Sequence, residues 1–368
     1  MINTLTSLRL IFALMVFGAH CYVIDDFFDL HFFKEGFVGV SFFFVLSGFI
    51  IAYNYQKKLS ESRMTKRSFW VARIARIYPL HVLTLLIAAA LGGYVIASGF
   101  TDWSKHFLAS LTLTNAYIPK ADYFFSFNSP SWSLCCEQLF YFCFPFLVPM
   151  AKNYKGLFCV FLISAILVIV GMYFTPESDI KGYWYVNPIA RFPDFIVGML
   201  LFQLYDRLKN KNITSFQGSI IEIISIVLFW VFYLYAAEVP KVYRYSCYYW
   251  LPIAFILISF SLQKGWVSRL LSNRILVIGG EISFSFYLIH LFAGFHQHIG
   301  TRLIQFTVKA VNCRLYMKRL VPLCKRDIQA CCCCAEGSDA AYQSCLISIL
   351  FYSLPVSYTH LRAHETDS

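Results

Sequence analysis

The chain has 368 residues, of which 58% are hydrophobic and only 14% are charged, and its formal net charge is +11. A soluble domain carries about 25% charged residues, so this composition excludes an ordinary soluble fold. It predicts an all-α protein, a polytopic bundle of transmembrane helices. The positive charge does not indicate nucleic-acid binding, because the basic residues are concentrated in alternate loops, as membrane insertion requires.

Nine apolar runs have about the length of 20 residues that a helix needs to cross a bilayer. The loop of residues 56–76 contains Lys and Arg with a single Glu, which by the positive-inside rule places it in the cytoplasm. The other basic loops fall on the same side. We therefore expect a cytoplasmic N-terminus and a multi-pass protein of the cell (inner, cytoplasmic) membrane. The nine predicted spans lie near residues 5–23, 37–55, 77–98, 131–150, 156–174, 189–206, 218–237, 247–263 and 274–296.

The segment after Thr307 does not continue this pattern. Its one apolar stretch is about a dozen residues long, too short to cross a bilayer, and it contains the run of cysteines at residues 331–334. We interpret residues 1–307 as one membrane domain and residues 308–368 as an anomalous Cys-rich tail, translated in a wrong frame or from foreign sequence. A genuine but disordered tail is the alternative. No cysteine spacing resembles a zinc site, so we expect no metal.

Charged side chains within predicted spans are costly in a bilayer and are therefore candidates for function. Arg9 and His20 lie eleven residues apart, which puts them on one face of the first span and about 16 Å apart along its axis. The simpler alternatives are that Arg9 is a topological anchor at the membrane surface and that His20 is hydrogen-bonded to a neighbouring helix.

Arg73 and Arg76 are three residues apart at the entry to the third predicted span, so their side chains project together. Paired guanidinium groups suit phosphate oxygens, because each can donate two parallel charge-assisted hydrogen bonds. The positive-inside rule alone also explains basic residues at this point.

Four further polar residues lie within predicted spans. Glu137 falls near the start of its helix, where the helix dipole favours a carboxylate. Arg191 and Asp194 are three residues apart and are interpreted as a structural ion pair or as substrate-binding groups. His290 lies well inside the ninth span. From the residues alone, two functions remain open, an enzyme with an anionic cytoplasmic cofactor and a transporter with a proton relay.

Six motifs follow one another along the chain. The first span has an Arg-x10-His pattern, and the fourth begins with Ser-Trp-Ser-Leu-x-x-Glu, which ends at Glu137. In this order the motifs resemble those of the membrane acyltransferase family 3. The family usually has ten spans, and a tenth is missing where the anomalous tail begins. The motifs occupy residues 7–20, 36–50, 69–79, 130–141, 191–199 and 280–290.

The resemblance implies an O-acyltransferase that takes an acyl group, most often acetyl, from cytoplasmic acyl-coenzyme A. The acceptor would be a hydroxyl of a cell-envelope glycan, such as an exopolysaccharide, a lipopolysaccharide or a lipid-linked saccharide. Membrane lipid, the glycan and acetyl-coenzyme A are thus the expected partners. A flippase for polysaccharide units, which makes no bond, is the alternative; it would be favoured by internal repeats, and we see none.

The same resemblance implies a role for each candidate residue. Arg73 and Arg76, together with Arg9, would hold the coenzyme A phosphates. His20 would be catalytic, either as the general base for the acceptor hydroxyl or as a nucleophile that carries the acyl group. Glu137 would orient His20 or bind sugar hydroxyls.

Overall fold

The computed structural model describes residues 2–21, 31–91, 99–151 and 154–295, and every regular element within these ranges is helical. Short helices at His31–Lys34, Lys57–Ser60, Ala121–Phe124, Lys241–Arg244 and Trp266–Leu271 join the longer ones. Two π-helical segments, Ala52–Gln56 and Lys181–Tyr185, interrupt the regular pattern. The longer helices are α1 (Asn3–Cys21), α2 (Val38–Ile51), α3 (Lys66–Leu91), α4 (Phe100–Leu111), α5 (Trp132–Ala151), α6 (Tyr154–Phe174), α7 (Pro188–Leu208), α8 (Ser215–Leu234), α9 (Trp250–Leu262) and α10 (Arg274–Phe295).

Five segments are long and apolar enough to cross a membrane: Val38–Ser60, Lys66–Ala90, Ser129–Ala151, Tyr154–Phe174 and Ser215–Glu238. Many large apolar side chains of α6 and α8 point away from the rest of the protein, as lipid-facing residues do. Each of the nine predicted spans coincides with one of these or another helix of the bundle. The multi-pass helical architecture is confirmed, while the number of nine spans and the cytoplasmic N-terminus stay predictions. The tail of residues 308–368 lies outside the described residues.

The predicted start of the third span was wrong by eleven residues, because α3 begins at Lys66 and not at residue 77. Phe69, Arg73, Ile77 and Leu80 recur at helical spacing and are all buried, so the basic segment already has an inward face. Pro79 lies inside this helix. Arg73 and Arg76 are consequently helical residues, the first buried and the second partly buried.

Glycines allow two pairs of helices to approach backbone to backbone. A Cβ atom at Gly48 of α2 would overlap the carbonyl of Phe195, and one at Gly198 of α7 would overlap that of Val45. At Gly280 of α10 a Cβ atom would overlap the carbonyl of Thr6 in α1. Small residues at such crossings allow close van der Waals packing, which is the main attraction between helices in lipid.

A buried ion pair joins α7 to its neighbours. Arg191 and Asp194 are both fully buried, and Nη2 of Arg191 lies 2.8 Å from Oδ2 of Asp194. The same Nη2 donates to the Ser41 hydroxyl of α2 at 2.7 Å, while Nη1 donates to the main-chain carbonyl of Tyr245. Asp194 also accepts hydrogen bonds from the Ser246 hydroxyl (2.7 Å) and the Trp250 indole. This network connects α2, α7 and the start of α9.

Asp194→Leu should destabilise the protein strongly, because it leaves the Arg191 guanidinium buried without its counter-charge. Breaking a buried pair from one side costs on the order of 3–5 kcal/mol, whereas replacing both partners by apolar residues is often tolerated. The double variant Arg191→Met/Asp194→Leu should therefore melt at a higher temperature than Asp194→Leu. Thermal melting in detergent measures both. Equal melting temperatures for Asp194→Leu and the wild type would show that the pair does not stabilise the bundle.

Candidate functional site

A cavity with an empty volume of about 850 Å³ lies between α1, α2, α3, α5 and α10. Its wall combines apolar and aromatic side chains with a few polar ones, a composition typical of ligand sites. The polar lining residues come from all five of these helices: Arg9, Ser47, Arg73, Arg76, Ser133, Glu137, Tyr141, Ser283 and Tyr287.

A second cavity of about 910 Å³ adjoins the first at the end of the bundle that carries Lys57–Ser60, here called the basic end. Arg9, Ile50, Arg73 and Arg76 line both cavities. The remaining lining residues come from the N-terminal turns of α1 and from the π-helical segment after α2: Ile2, Leu5, Thr6, Tyr53, Asn54 and Tyr55. Three guanidinium groups thus surround the boundary between the two spaces.

The two arginines of α3 that line the cavities have different surroundings. Arg73 is 8% exposed, and its Nη2 donates to the Tyr55 hydroxyl at 2.6 Å. Its guanidinium carbon lies 4.7 Å from the ring centre of Tyr55 and 6.0 Å from that of Tyr141, within the range of cation–π attraction. Arg76, almost one turn further along, is only partly buried. Arg73 is therefore held in place by aromatic neighbours, and Arg76 is the more accessible of the two.

Glu137 contributes the carboxylate of the first cavity. The Tyr141 hydroxyl, one turn later on α5, donates to its Oε2 at 2.5 Å. Glu137 makes no other side-chain hydrogen bond to a described residue. The structure therefore does not bring Glu137 into contact with His20. The same cavity wall contains Ser133 and Tyr287, on α5 and α10.

His20 lies near the far end of α1 and is not among the residues that line either cavity. Its Nδ1 lies 2.8 Å from the carbonyl of Val16. A neutral imidazole that donates from Nδ1 has Nε2 as its proton-accepting nitrogen. The Lys181 ammonium is close enough to act electrostatically on this ring. Burial, and to a lesser degree the charge of Lys241, lower the pKa of Lys181.

Arg191 and Asp194 are not among the residues that line the cavities. Arg191 and Asp194 form the structural pair described above, which was one of their two interpretations. His290 is a residue of α10 whose side chain lies outside the described residues. Across the described part of the chain, no group of three or more His, Cys, Asp or Glu side chains is arranged to hold a metal ion.

Several lining residues were not predicted from the sequence. Tyr141 could have been predicted, because it follows Glu137 by four residues and therefore lies on the same face of the helix. Tyr53, Asn54 and Tyr55 have no such signal, since a π-helical segment changes which side chains share a face.

Comparison with known proteins gives a consistent result. Residues 2–305 match the acyltransferase domain model of the acyltransferase 3 family. The chain is 29% identical over 318 residues to acyltransferase MdmB of Streptomyces mycarofaciens, covering 78% of this chain and 77% of that protein. It is also 29% identical over 276 residues to a Staphylococcus aureus (strain COL) protein named as an O-acetyltransferase, covering 69% of this chain but only 45% of that protein. No solved structure matches the chain.

Tyr55→Phe should destabilise the protein, because it removes the acceptor of a charge-assisted hydrogen bond from the buried Arg73. Such a bond contributes roughly 1.5–3 kcal/mol, so we expect the melting temperature in detergent to fall by several degrees. Tyr53→Phe is the matched control, since the Tyr53 hydroxyl makes no hydrogen bond with any described residue. The hydrogen bond would have no structural importance if both variants melted like the wild type.

Proposed function

Because this chain belongs to the acyltransferase 3 family and is an acyl-transferring enzyme, we propose that it moves an acetyl group from acetyl-coenzyme A to a glycan. The acceptor group is a hydroxyl of a cell-envelope polysaccharide or a lipid-linked saccharide. The reaction takes place in the cytoplasmic membrane, with the basic end facing the cytoplasm. We do not propose a transporter, because the family match indicates an enzyme that makes a covalent bond.

The observation that carries this proposal is the shape and charge of the two adjoining cavities. The donor is a long molecule with several phosphates at one end and an acyl thioester at the other. Arg9, Arg73 and Arg76 supply positive charge where the cavities meet, and the first cavity continues from there between apolar walls. Guanidinium groups suit phosphate oxygens, and apolar walls suit the thioester end of the donor.

His20 is the proposed catalytic residue. About 16 Å of helix separates it from Arg9, which is consistent with a donor whose phosphates and reactive carbon are far apart. As a general base, Nε2 would accept the proton of the acceptor hydroxyl while its oxygen attacks the thioester carbonyl carbon. The carbon–sulfur bond then breaks, and the thiolate takes the proton from the imidazolium, giving an acetyl ester and free coenzyme A. In the nucleophilic variant Nε2 itself carries the acetyl group between donor and acceptor.

Glu137 has its proposed role in the first cavity. Its Oε2 accepts from Tyr141, and the other carboxylate oxygen remains available to bind a donor amide or a sugar hydroxyl. Orientation of His20 by Glu137, the first of the two expected roles, is not part of the proposal, because the two residues are not in contact.

His20→Asn should abolish acetyl transfer while leaving membrane level and melting temperature close to the wild type. The asparagine amide can still donate to the Val16 carbonyl, but it can neither accept the hydroxyl proton nor carry an acyl group. Purified protein is assayed for thiol release from acetyl-coenzyme A and for incorporation of labelled acetyl into an envelope glycan fraction. Substantial residual transfer by His20→Asn would remove this residue from the mechanism.

Arg76→Lys should raise the KM for acetyl-coenzyme A by about ten- to a hundredfold, because lysine lacks the planar fork that binds phosphate. This range follows from the loss of one charge-assisted contact, on the order of 1.5–3 kcal/mol. The KM for the glycan should not change. Arg67→Lys is the matched control on the same helix, since Arg67 is exposed and lines neither cavity. An unchanged donor KM in Arg76→Lys would leave Arg76 as a topological anchor.

A further inference from the structure

We propose that Tyr53 and Asn54 form an adenine-binding subsite at the basic end, so that the enzyme selects a donor with a complete adenine nucleotide. This inference rests on the proposed function and extends it, because it concerns the part of the donor that takes no part in the reaction. The subsite lets the enzyme distinguish coenzyme A from other carriers of an acyl thioester, such as phosphopantetheine or an acyl carrier protein.

The first argument concerns what the second cavity contains besides its arginines. Phosphate groups need only Arg9, Arg73 and Arg76, yet the wall also includes Tyr53 and Asn54. An aromatic ring and a side-chain amide add little to phosphate binding. They are, however, the two groups with which proteins recognise a nucleobase, the ring by stacking and the amide by hydrogen bonding to the base edge.

The second argument concerns how Tyr53 is held. Its ring lies 6.2 Å from that of Phe202 at an angle of 88°, and 6.1 Å from that of Tyr205 at 55°. Both neighbours belong to α7 and pack against the ring. Tyr53 nevertheless stays 36% exposed. A supported ring with an exposed surface beside a cationic cavity is suited to stack against a flat base, with little conformational entropy left to lose.

The third argument concerns the hydrogen-bonding groups of Asn54. Its Nδ2 donates to the carbonyl of Ile50 at 2.8 Å, which fixes the orientation of the amide. One N–H and the Oδ1 oxygen stay available, because neither is bonded to any described residue. Asparagine binds adenine in this way, accepting from the exocyclic amine N6 and donating to N7. The amide therefore selects adenine over a base with a carbonyl at that position.

The π-helical segment Ala52–Gln56 explains why these side chains reach the cavity together. It continues directly from α2 and places Tyr53, Asn54 and Tyr55 along the wall of the second cavity. Tyr55 holds Arg73, as described above, while Tyr53 and Asn54 border the open part. Segments of this kind occur often at functional sites.

The test compares three donors with the purified full-length protein in detergent. Acetyl-coenzyme A carries the intact base, acetyl-1,N6-etheno-coenzyme A has its N6 edge blocked, and S-acetyl-4′-phosphopantetheine lacks the adenine nucleotide. Tyr53→Ala should raise the KM for acetyl-coenzyme A about tenfold, in line with the loss of one base–aromatic stack. It should change the KM for the phosphopantetheine donor less than twofold.

For Asn54→Ala we expect a different pattern of donor KM values. The wild type should discriminate against the etheno donor, and Asn54→Ala should lose that discrimination by weakening only the binding of acetyl-coenzyme A. Tyr154→Ala is the matched control, because Tyr154 is an exposed aromatic residue that lines neither cavity. It should leave all donor KM values unchanged.

Binding is also measured without catalysis, as the rise in melting temperature caused by coenzyme A and by 4′-phosphopantetheine. A KM increase of the same factor for all donors in Tyr53→Ala, or no increase at all, would overturn the adenine subsite and leave Tyr53 as part of the interfacial aromatic belt. Equal use of acetyl-coenzyme A and the phosphopantetheine donor by the wild type would overturn it as well. If the wild type showed neither thiol release nor stabilisation by coenzyme A, the proposed function itself would fail.

Discussion

The buried pair of Arg191 and Asp194 is the interaction on which the arrangement of the bundle depends. Two opposite charges in the low-dielectric interior are stable only if each is hydrogen-bonded as well as paired. Here the partners come from α2 (Ser41) and from the segment that leads into α9 (Ser246 and Trp250). The requirement to satisfy these charges fixes the positions of three parts of the chain that are distant in sequence.

The cavities follow from that arrangement. The pair fixes α2 on α7 close to the point where Gly48 and Gly198 let the two backbones meet. The opposite side of α2, with residues such as Phe43, Ser47 and Ile50, forms a wall of the first cavity. A shift of α2 would therefore disturb both the buried charges and the space that we assign to the donor. The buried charges and the cavity wall are separate here, but they are connected through one helix.

Much of the architecture could be predicted from the sequence, because a bilayer imposes strong constraints on composition and length. The helix bundle could be predicted from the apolar runs and the basic loop. The ion pair could be predicted from the spacing of Arg191 and Asp194. The start of α3 was missed because basic residues were assigned to a loop. Phe69 and Arg73 are in fact buried on one helix face, and that pattern is visible only when the helix is extended backwards.

The candidate site was predictable only in part. Helical spacing was enough to predict that Arg73 and Arg76 lie on the same face of a helix. It could not show that Arg73 is hydrogen-bonded to Tyr55 while Arg76 stays more accessible. Contacts between helices, such as those of Tyr55, depend on packing that no spacing rule describes. Glu137 and His20 are both rare polar residues in apolar helices, yet the structure keeps them apart. The roles of both residues stay predictions, and of the two roles expected for Glu137 only the binding of a substrate group agrees with its place in the first cavity.

The π-helical segment Ala52–Gln56 also affects how relatives of this protein are to be aligned. A π-helical turn corresponds to one residue inserted into an α-helix. A relative that lacks this residue would continue α2 as a regular helix, in which the side chains of this turn are spaced at about 100° around the axis. Its equivalents of Tyr53 and Asn54 would then point elsewhere. A one-residue gap at this point in an alignment would thus mark a change in the cavity wall and not a neutral difference in length.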